Sequence, residues 1–211
     1  MRVLIIGASR GVGLETTLQA TDAGYDVRAM ARSAATISLS SPRLEKVNGD
    51  ALVHADVVAA LAGVDVVIMT LGVGLGELAR PVHLFSEATR VLLGAMHVQS
   101  VTRLICVTGF GAGDSRASIN FLQRIPFQLV FGRAYDDKTR QEQLIKGSAV
   151  DWTIVRPGIL TPGARSGRYK VLRQPSQWRN GVISRSNLAE FLVHQVEDRA
   201  YIGEAPVLVN W

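Results

Sequence analysis

The sequence predicts an α/β protein built on a doubly wound parallel sheet with helices on both faces, and three observations predict it. Short β-rich runs alternate with stretches of helical period along the whole chain, as stacked βαβ units require. Several of those runs are apolar at every position, which suits strands covered on both faces. A glycine-rich turn sits directly between the first run and the first helix. The 211 residues, 47% of them apolar, suffice for one domain over residues 1–211 with a six- or seven-stranded sheet.

The elements follow in order. Val3–Ile6 is the first strand, and a helix follows the glycine turn. Asp26–Ala31 and Leu44–Val47 are the second and third strands, and Asp50 leads into a helix over Ala51–Leu61. Val64–Thr70 is the fourth strand. Leu84, Ala88, Val91, Leu92, Ala95 and Met96 then recur at spacings of three and four, the stripe of a helix, with Pro81 where a first turn tolerates it. Arg103–Thr108 is the fifth strand, followed by a helix over Ala134–Ile145 that Gly147 closes. Trp152–Arg156 is the sixth strand, Ser186–Glu197 the last helix and Val207–Asn210 the last strand. Between Pro157 and Arg185 the periodicity is weak and Gly and Pro recur. This stretch, 157–185, is expected as an excursion above the sheet on the substrate side.

Composition narrows the function classes. Cys106 is the sole cysteine, flanked by Leu104, Ile105 and Val107, so it reads as a strand residue and no internal disulfide can form. His54, His83, His97 and His194 are scattered without ligand spacing, and no metal site is expected. Net charge is +5 but aromatics are only 6%, which argues against a nucleic-acid surface. Val3–Ile6 runs straight into glycine and is far too short for a signal peptide or a membrane span. A cytoplasmic protein with no membrane partner is expected, and its oligomeric state stays open.

The segment Gly7-Ala8-Ser9-Arg10-Gly11-Val12-Gly13 carries the chemistry. Gly7 permits the tight reversal, Gly11 lets backbone approach a pyrophosphate, and Gly13 lets helix and strand pack closely. The helix that follows offers free N–H groups and the positive end of its dipole. A glycine trio alone is a weak signal; after an apolar strand and before a helix it predicts a dinucleotide, and so a Rossmann-type NAD(P)-binding fold. Gly7, Ser9, Arg10, Gly11, Val12 and Gly13 are therefore candidate cofactor-binding residues.

The second strand bears on which dinucleotide. NAD-preferring sites place a carboxylate at its end to bind the ribose hydroxyls. Here that end carries Arg32 and Ser33 with no acid, and Arg10 can reach the same corner. Guanidinium groups suit a 2′-phosphate. The sequence favours NADP(H) over NAD(H), against the plainer reading of Arg32 as a solvated loop residue.

The glycine loop closely resembles that of short-chain dehydrogenases/reductases, and the chain resembles their atypical, NmrA-like branch, which includes flavin and biliverdin reductases. Asn48-Gly49-Asp50, Leu71-Gly72 and Asp151-Trp152-Thr153-Ile154-Val155-Arg156-Pro157-Gly158 extend the likeness. The resemblance implies that Asp50 and Ala51 lie against the adenine, Leu71 and Gly72 near the adenosine ribose, and Pro157, Gly158 and Ile159 on the nicotinamide side. It also implies a serine after the fifth strand and a Tyr-x-x-x-Lys pair, the tyrosine donating a proton while the lysine lowers its pKa. This chain departs from both. Only Thr108 offers a hydroxyl after the fifth strand, and Tyr135-Asp136-Asp137-Lys138 is one residue short. At about 100° per residue, that deletion swings the lysine by about 100° around the helix.

Tyr135, Lys138 and Glu142 still share one helix face, and a plain Lys138–Glu142 surface pair beside a packed Tyr135 is the competing reading. Lys138, Tyr135 and Thr108 are the candidate catalytic residues; Lys138, with Thr108, also belongs to the expected cofactor set. A missing proton donor matters less for conjugated acceptors, which delocalise the incoming charge, than for ketones, which form an alkoxide. The expected function is hydride transfer from NADPH to a small acceptor of flavin, quinone or carbonyl type. The alternative, implied by the NmrA-like resemblance, is a regulator that senses the dinucleotide without turnover. From Trp152 to Ala189 there is no Asp or Glu, but Arg156, Arg165, Arg168, Lys170, Arg173, Arg179 and Arg185 occur with Tyr169 and Trp178. That segment could cover a planar, acidic substrate or be a solvated loop.

Overall fold

The computed structural model describes residues 1–73, 83–119 and 121–210, with side chains outside 121–131. Its strands are β1 (Arg2–Ile6), β2 (Asp26–Ala31), β3 (Leu44–Asn48), β4 (Val66–Met69), β5 (Arg103–Val107), β6 (Asp151–Pro157), β7 (Ile159–Thr161), β8 (Tyr169–Leu172), β9 (Val182–Ser184) and β10 (Val207–Asn210). Its α-helices are α1 (Gly11–Asp22), α2 (His54–Leu61), α3 (Leu84–Val98), α4 (Phe121–Lys146) and α5 (Arg185–His194). The expected Pro81 lies outside the described residues.

The main sheet has eight strands in the order β3-β2-β1-β4-β5-β6-β10-β8. Every neighbouring pair is parallel except β10 and β8. Strand alternation assigns the two cores. Val3 and Ile5 of β1 face the layer holding Ala20 of α1 and Leu188 and Leu192 of α5. Leu4 and Ile6 face the layer holding Val57 of α2, Leu92 of α3 and Ile145 of α4. This is the double winding that the apolar runs predict.

The chain leaves β1 toward β2 on one side and returns through β4 on the other. That reversal opens a crevice at the carboxyl ends of β1 and β4, the place where open α/β sheets bind ligands.

Two features differ from the expected elements. Part of 157–185 does not stand above the sheet: β8 joins its edge, antiparallel to β10, while β7 and β9 pair in a small sheet of their own. The sequence Tyr169-Lys170-Val171-Leu172 hides β8, because an edge strand tolerates the polar residues that a buried strand excludes. The helix expected from Ala134 begins at Phe121, so α4 is twice as long as its apolar stripe suggests.

Candidate dinucleotide site

The glycine turn is folded as its residues dictate. Gly7 (φ +87°) and Gly11 (φ +58°) occupy left-handed backbone that other residues rarely adopt. A Cβ on Gly13 would lie 2.1 Å from the Gly7 carbonyl oxygen, so α1 rests directly on the turn. The Gly7 and Ala8 amides donate to the Met30 carbonyl at 3.0 and 3.2 Å, tying the turn to β2. Arg10 is the N-cap of α1, its side chain caps nothing, and the first turn holds no acid. The leading N–H groups of α1 are thus left for an anion.

A cleft of about 840 Å³ opens over this turn. Its wall includes Gly7, Ser9, Arg10, Gly11 and Val12 from the turn, Arg32 and Ser33 from the end of β2, and Asp50 and Ala51 after β3. Leu71 and Gly72 after β4, Thr108 after β5, Lys138 of α4 and Pro157 of β6 also line it. The Ser33 hydroxyl lies 3.4 Å from that of Ser9, so the β2 corner and the turn meet. One oxygen of Asp50 accepts the Leu52 amide at 3.0 Å, which fixes its carboxylate in the wall.

Four expected residues are not in the wall. Gly13 lies beneath the turn. Gly158 is where the chain passes close to Gly181, whose carbonyl would sit 2.3 Å from a Cβ. Ile159 is 61% exposed, and strand alternation puts Leu160 in the wall instead. Tyr135 packs its phenol on Gly109, where a Cβ would come within 2.7 Å of the hydroxyl. Burial pushes the Tyr135 phenol up to about 12. Of the pair, Lys138 lines the cleft and Tyr135 does not.

Lys138 donates to the Thr108 carbonyl at 2.6 Å, and its ammonium lies 4.4 Å from the centre of the Phe85 ring. Burial pulls it down to about 8, against the opposing charges of Glu142 and Asp137. The neighbouring Asp137 positions it: its buried carboxylate accepts the Phe85 amide at 2.8 Å and the Ser86 amide at 3.3 Å, capping α3 and locking α4 against it.

Glu142 forms no surface pair with Lys138. It is 1% exposed and binds the fully buried Arg156 through both oxygens, the Nε contact being 2.9 Å. The same carboxylate accepts the Thr108 hydroxyl at 2.8 Å, so that proton points away from any ligand. Asp114 also reaches Arg156. Arg156 is therefore structural, and the expectation that it faces the substrate is corrected. The aromatic cover is corrected too: Trp178 lies over Arg156 at 5.0 Å, and Tyr169 packs edge-on against Phe191. Arg165 and Arg173 have acidic partners in Glu190 and Glu204. Residues missed from sequence include Met30, Thr70 and Leu160, and Arg185 was singled out only as part of the basic run. The missed residues carry no motif signal, and nothing in the sequence separates Arg185 from the other arginines of its run.

Turn, open helix end and cleft at the switch of a 3-2-1-4-5-6 sheet define a dinucleotide-binding protein of Rossmann type. The chain belongs to the NAD(P)H-binding family, whose model matches residues 7–199. An uncharacterised chloroplastic protein of Arabidopsis thaliana is 27% identical over 198 residues, covering 91% of this chain and 70% of its own. ChuY, an anaerobilin reductase from Escherichia coli O157:H7, superposes with a TM-score of 0.82 at 24% identity, over 100% of this chain and 97% of that one. A short-chain dehydrogenase/reductase from Veillonella parvula in complex with NADP gives 0.83 at 14% identity, over 99% and 94%. At those identities the two structures attest the fold. Among the described residues no helix is long and apolar enough to cross a membrane.

Proposed function

We propose that the protein is an NADPH-dependent reductase that passes hydride to a small conjugated acceptor of flavin, quinone or carbonyl type. One observation carries the reading: a single cleft joins the glycine turn, an acid-free β2 corner with Arg32 and Ser33, and a desolvated Lys138 on the Thr108 carbonyl. The residues present fit a dinucleotide. The uncapped start of α1 seats its pyrophosphate, Arg10 and Arg32 face the 2′-phosphate, and Asp50, Ala51, Leu71 and Gly72 line the adenosine end. Lys138, Thr108 and Pro157 flank the nicotinamide end.

Bound there, the dihydronicotinamide supplies a hydride. Lys138 holds the adjoining ribose hydroxyls and presents an ammonium to the reaction space. Tyr135 takes no part, because its phenol is turned to Gly109. Thr108 acts as an acceptor only, its hydroxyl proton being committed to Glu142. A site without a phenolic acid suits acceptors that spread negative charge over a conjugated system. That one structural relative carries the name of a reductase supports turnover over mere binding.

The test is NADPH oxidation followed by absorbance with a panel of flavins, quinones and aldehydes. Turnover that disappears on substitution of Arg10 and Arg32 is the expected result. Tight NADPH binding with no turnover on any acceptor would overturn it in favour of a dinucleotide sensor.

A further inference from the structure

Arg185 opens α5 and lines the same cleft as Arg32. Its Nε lies 4.0 Å from the point where a Cβ on Gly11, the first residue of α1, would sit. The backbone that carries it is pinned on both sides. Ser184 caps α5 by accepting the Asn187 amide at 3.1 Å. Ser186 donates its hydroxyl to Glu15 at 2.8 Å and accepts the Gln19 side chain at 2.9 Å, which binds α5 to α1. A guanidinium is therefore delivered to the first turn of α1 by two packed helices and not by a mobile loop.

Its own charge is unanswered. Among the described residues Arg185 has no ion pair, whereas Arg156, Arg165 and Arg173 of the same basic stretch each have one. Glu15 is the acidic group nearest in that part of the wall; among the described residues it forms no ion pair with Arg185, and it is engaged by Ser186. Arg10 and Arg32, the other guanidiniums of the cleft, are likewise unpaired among the described residues. A guanidinium held without a carboxylate, opposite free N–H groups, fits a multiply charged anion that both can grip.

We infer that Arg185 is the second jaw of the pyrophosphate site, closing on the phosphates that the start of α1 holds from the other side. The inference rests on the dinucleotide reading above and divides the cationic groups by task. Arg32 answers the 2′-phosphate and discriminates between cofactors; Arg185 answers the pyrophosphate and binds both cofactors alike.

Binding of NADP⁺, NAD⁺ and adenosine 2′-monophosphate to the full chain tests this, because the last has the 2′-phosphate and no pyrophosphate. Arg185→Ala should weaken NADP⁺ and NAD⁺ by the same factor, about tenfold or more, and leave adenosine 2′-monophosphate unchanged. Arg32→Ala should weaken NADP⁺ and adenosine 2′-monophosphate and spare NAD⁺. Arg185→Lys, which keeps the charge but loses the fork, should fall between Arg185→Ala and the unmodified protein, and it serves as the variant if the alanine form melts early. Unchanged NADP⁺ affinity in Arg185→Ala, or a loss confined to ligands with a 2′-phosphate, overturns the assignment. An unmodified protein that binds no dinucleotide overturns the proposed function itself, before any variant is compared.

Discussion

Lys138 reaches out of α4 to the Thr108 carbonyl at 2.6 Å, and the Thr108 hydroxyl turns the other way, to Glu142 at 2.8 Å. One residue at the end of β5 is thus held through two different atoms by two turns of the same helix. This ties the cleft to the buried Arg156–Glu142 pair behind it. Lys138 lines the cleft, and the Thr108 hydroxyl is withdrawn from proton donation.

From this it follows that Lys138 outweighs Tyr135. Lys138→Met should cut cofactor affinity or turnover at least tenfold, and Tyr135→Phe should change either by less than threefold, about 0.7 kcal/mol. Steady-state kinetics and NADPH titration of both variants check the order. The reverse order would restore the orthodox tyrosine mechanism.

The same lysine sets a pH dependence. Burial lowers it from 10.5 to about 8, so the ammonium is the working form below that value and is lost above it. Turnover should fall on the alkaline side of pH 8, and the Lys138→Met residual activity should lack that limb. Stability runs the other way. The unfolded chain binds the extra proton between about 8 and 10.5, so this group's contribution to stability rises with pH across that window. Below it, the cost of burying the charge applies in full. Lys138→Met should therefore melt no lower than the unmodified protein at neutral pH, and its advantage should shrink in alkaline buffer. A much lower melting point at neutral pH would show that Lys138 is held for structure.

Cofactor choice is the third expectation. With Arg32 and Ser33 at the end of β2 and no acid there, NADPH should bind at least tenfold tighter than NADH, about 1.4 kcal/mol. Arg32→Asp should erase or reverse that preference. Equal affinity in the unmodified protein would remove the ground for NADP(H).

The parts of this molecule legible in the sequence share a physical cause. Buried parallel strands such as Val3–Ile6 must be apolar throughout, and a turn that touches phosphate must have glycine where backbone strains or crowds, as Gly7 and Gly13 do. The Tyr135–Lys138 spacing was legible too, because a helix converts a missing residue into a rotation. What stayed hidden depends on pairing across the fold. Arg156 and Arg185 look alike in the chain, but β6 is buried and α4 brings Glu142 to Arg156, while among the described residues no carboxylate pairs with Arg185. The edge strand β8 was hidden because it is only four residues long, with Lys170 among them, in a stretch where Gly and Pro recur.

Gly13 offers a test of the turn itself. Its missing Cβ would fall 2.1 Å from the Gly7 carbonyl and 2.7 Å from the Thr70 hydroxyl oxygen, and the carbonyl belongs to backbone that β1 and β2 fix. Gly13→Ala must lift α1 off the turn, at about 1–3 kcal/mol for an overpacked site. NADPH affinity should fall with stability. Gly24→Ala is the contrast: its φ is +90°, unlike that of Gly13, but a Cβ there meets nothing within 4 Å, so it should cost strain without affecting cofactor binding. Thermal melts and NADPH titration of both variants separate the two effects.

The Arg156–Glu142 pair is the last and largest stability prediction. Both groups are out of solvent, and Glu142 answers Arg156 through two oxygens. Burial alone would lower the guanidinium's pKa, yet Glu142 and Asp114 raise it instead. Breaking a buried pair from one side typically costs about 3–5 kcal/mol, since it leaves a charge without its counter-charge. In Glu142→Gln the exposed Asp114 remains beside Arg156, so the lower end of that range is expected. For a chain of this size that corresponds to a melting point lower by roughly 6–12 °C. The double variant Glu142→Leu/Arg156→Met replaces the pair by apolar groups of similar volume and should recover most of the loss, as removing both charges leaves neither stranded. It should not recover activity, because the Thr108 hydroxyl loses its acceptor and becomes free to turn toward the cleft. A double variant as unstable as Glu142→Gln would mean that the network's hydrogen bonds, and not its stranded charge, carry the cost.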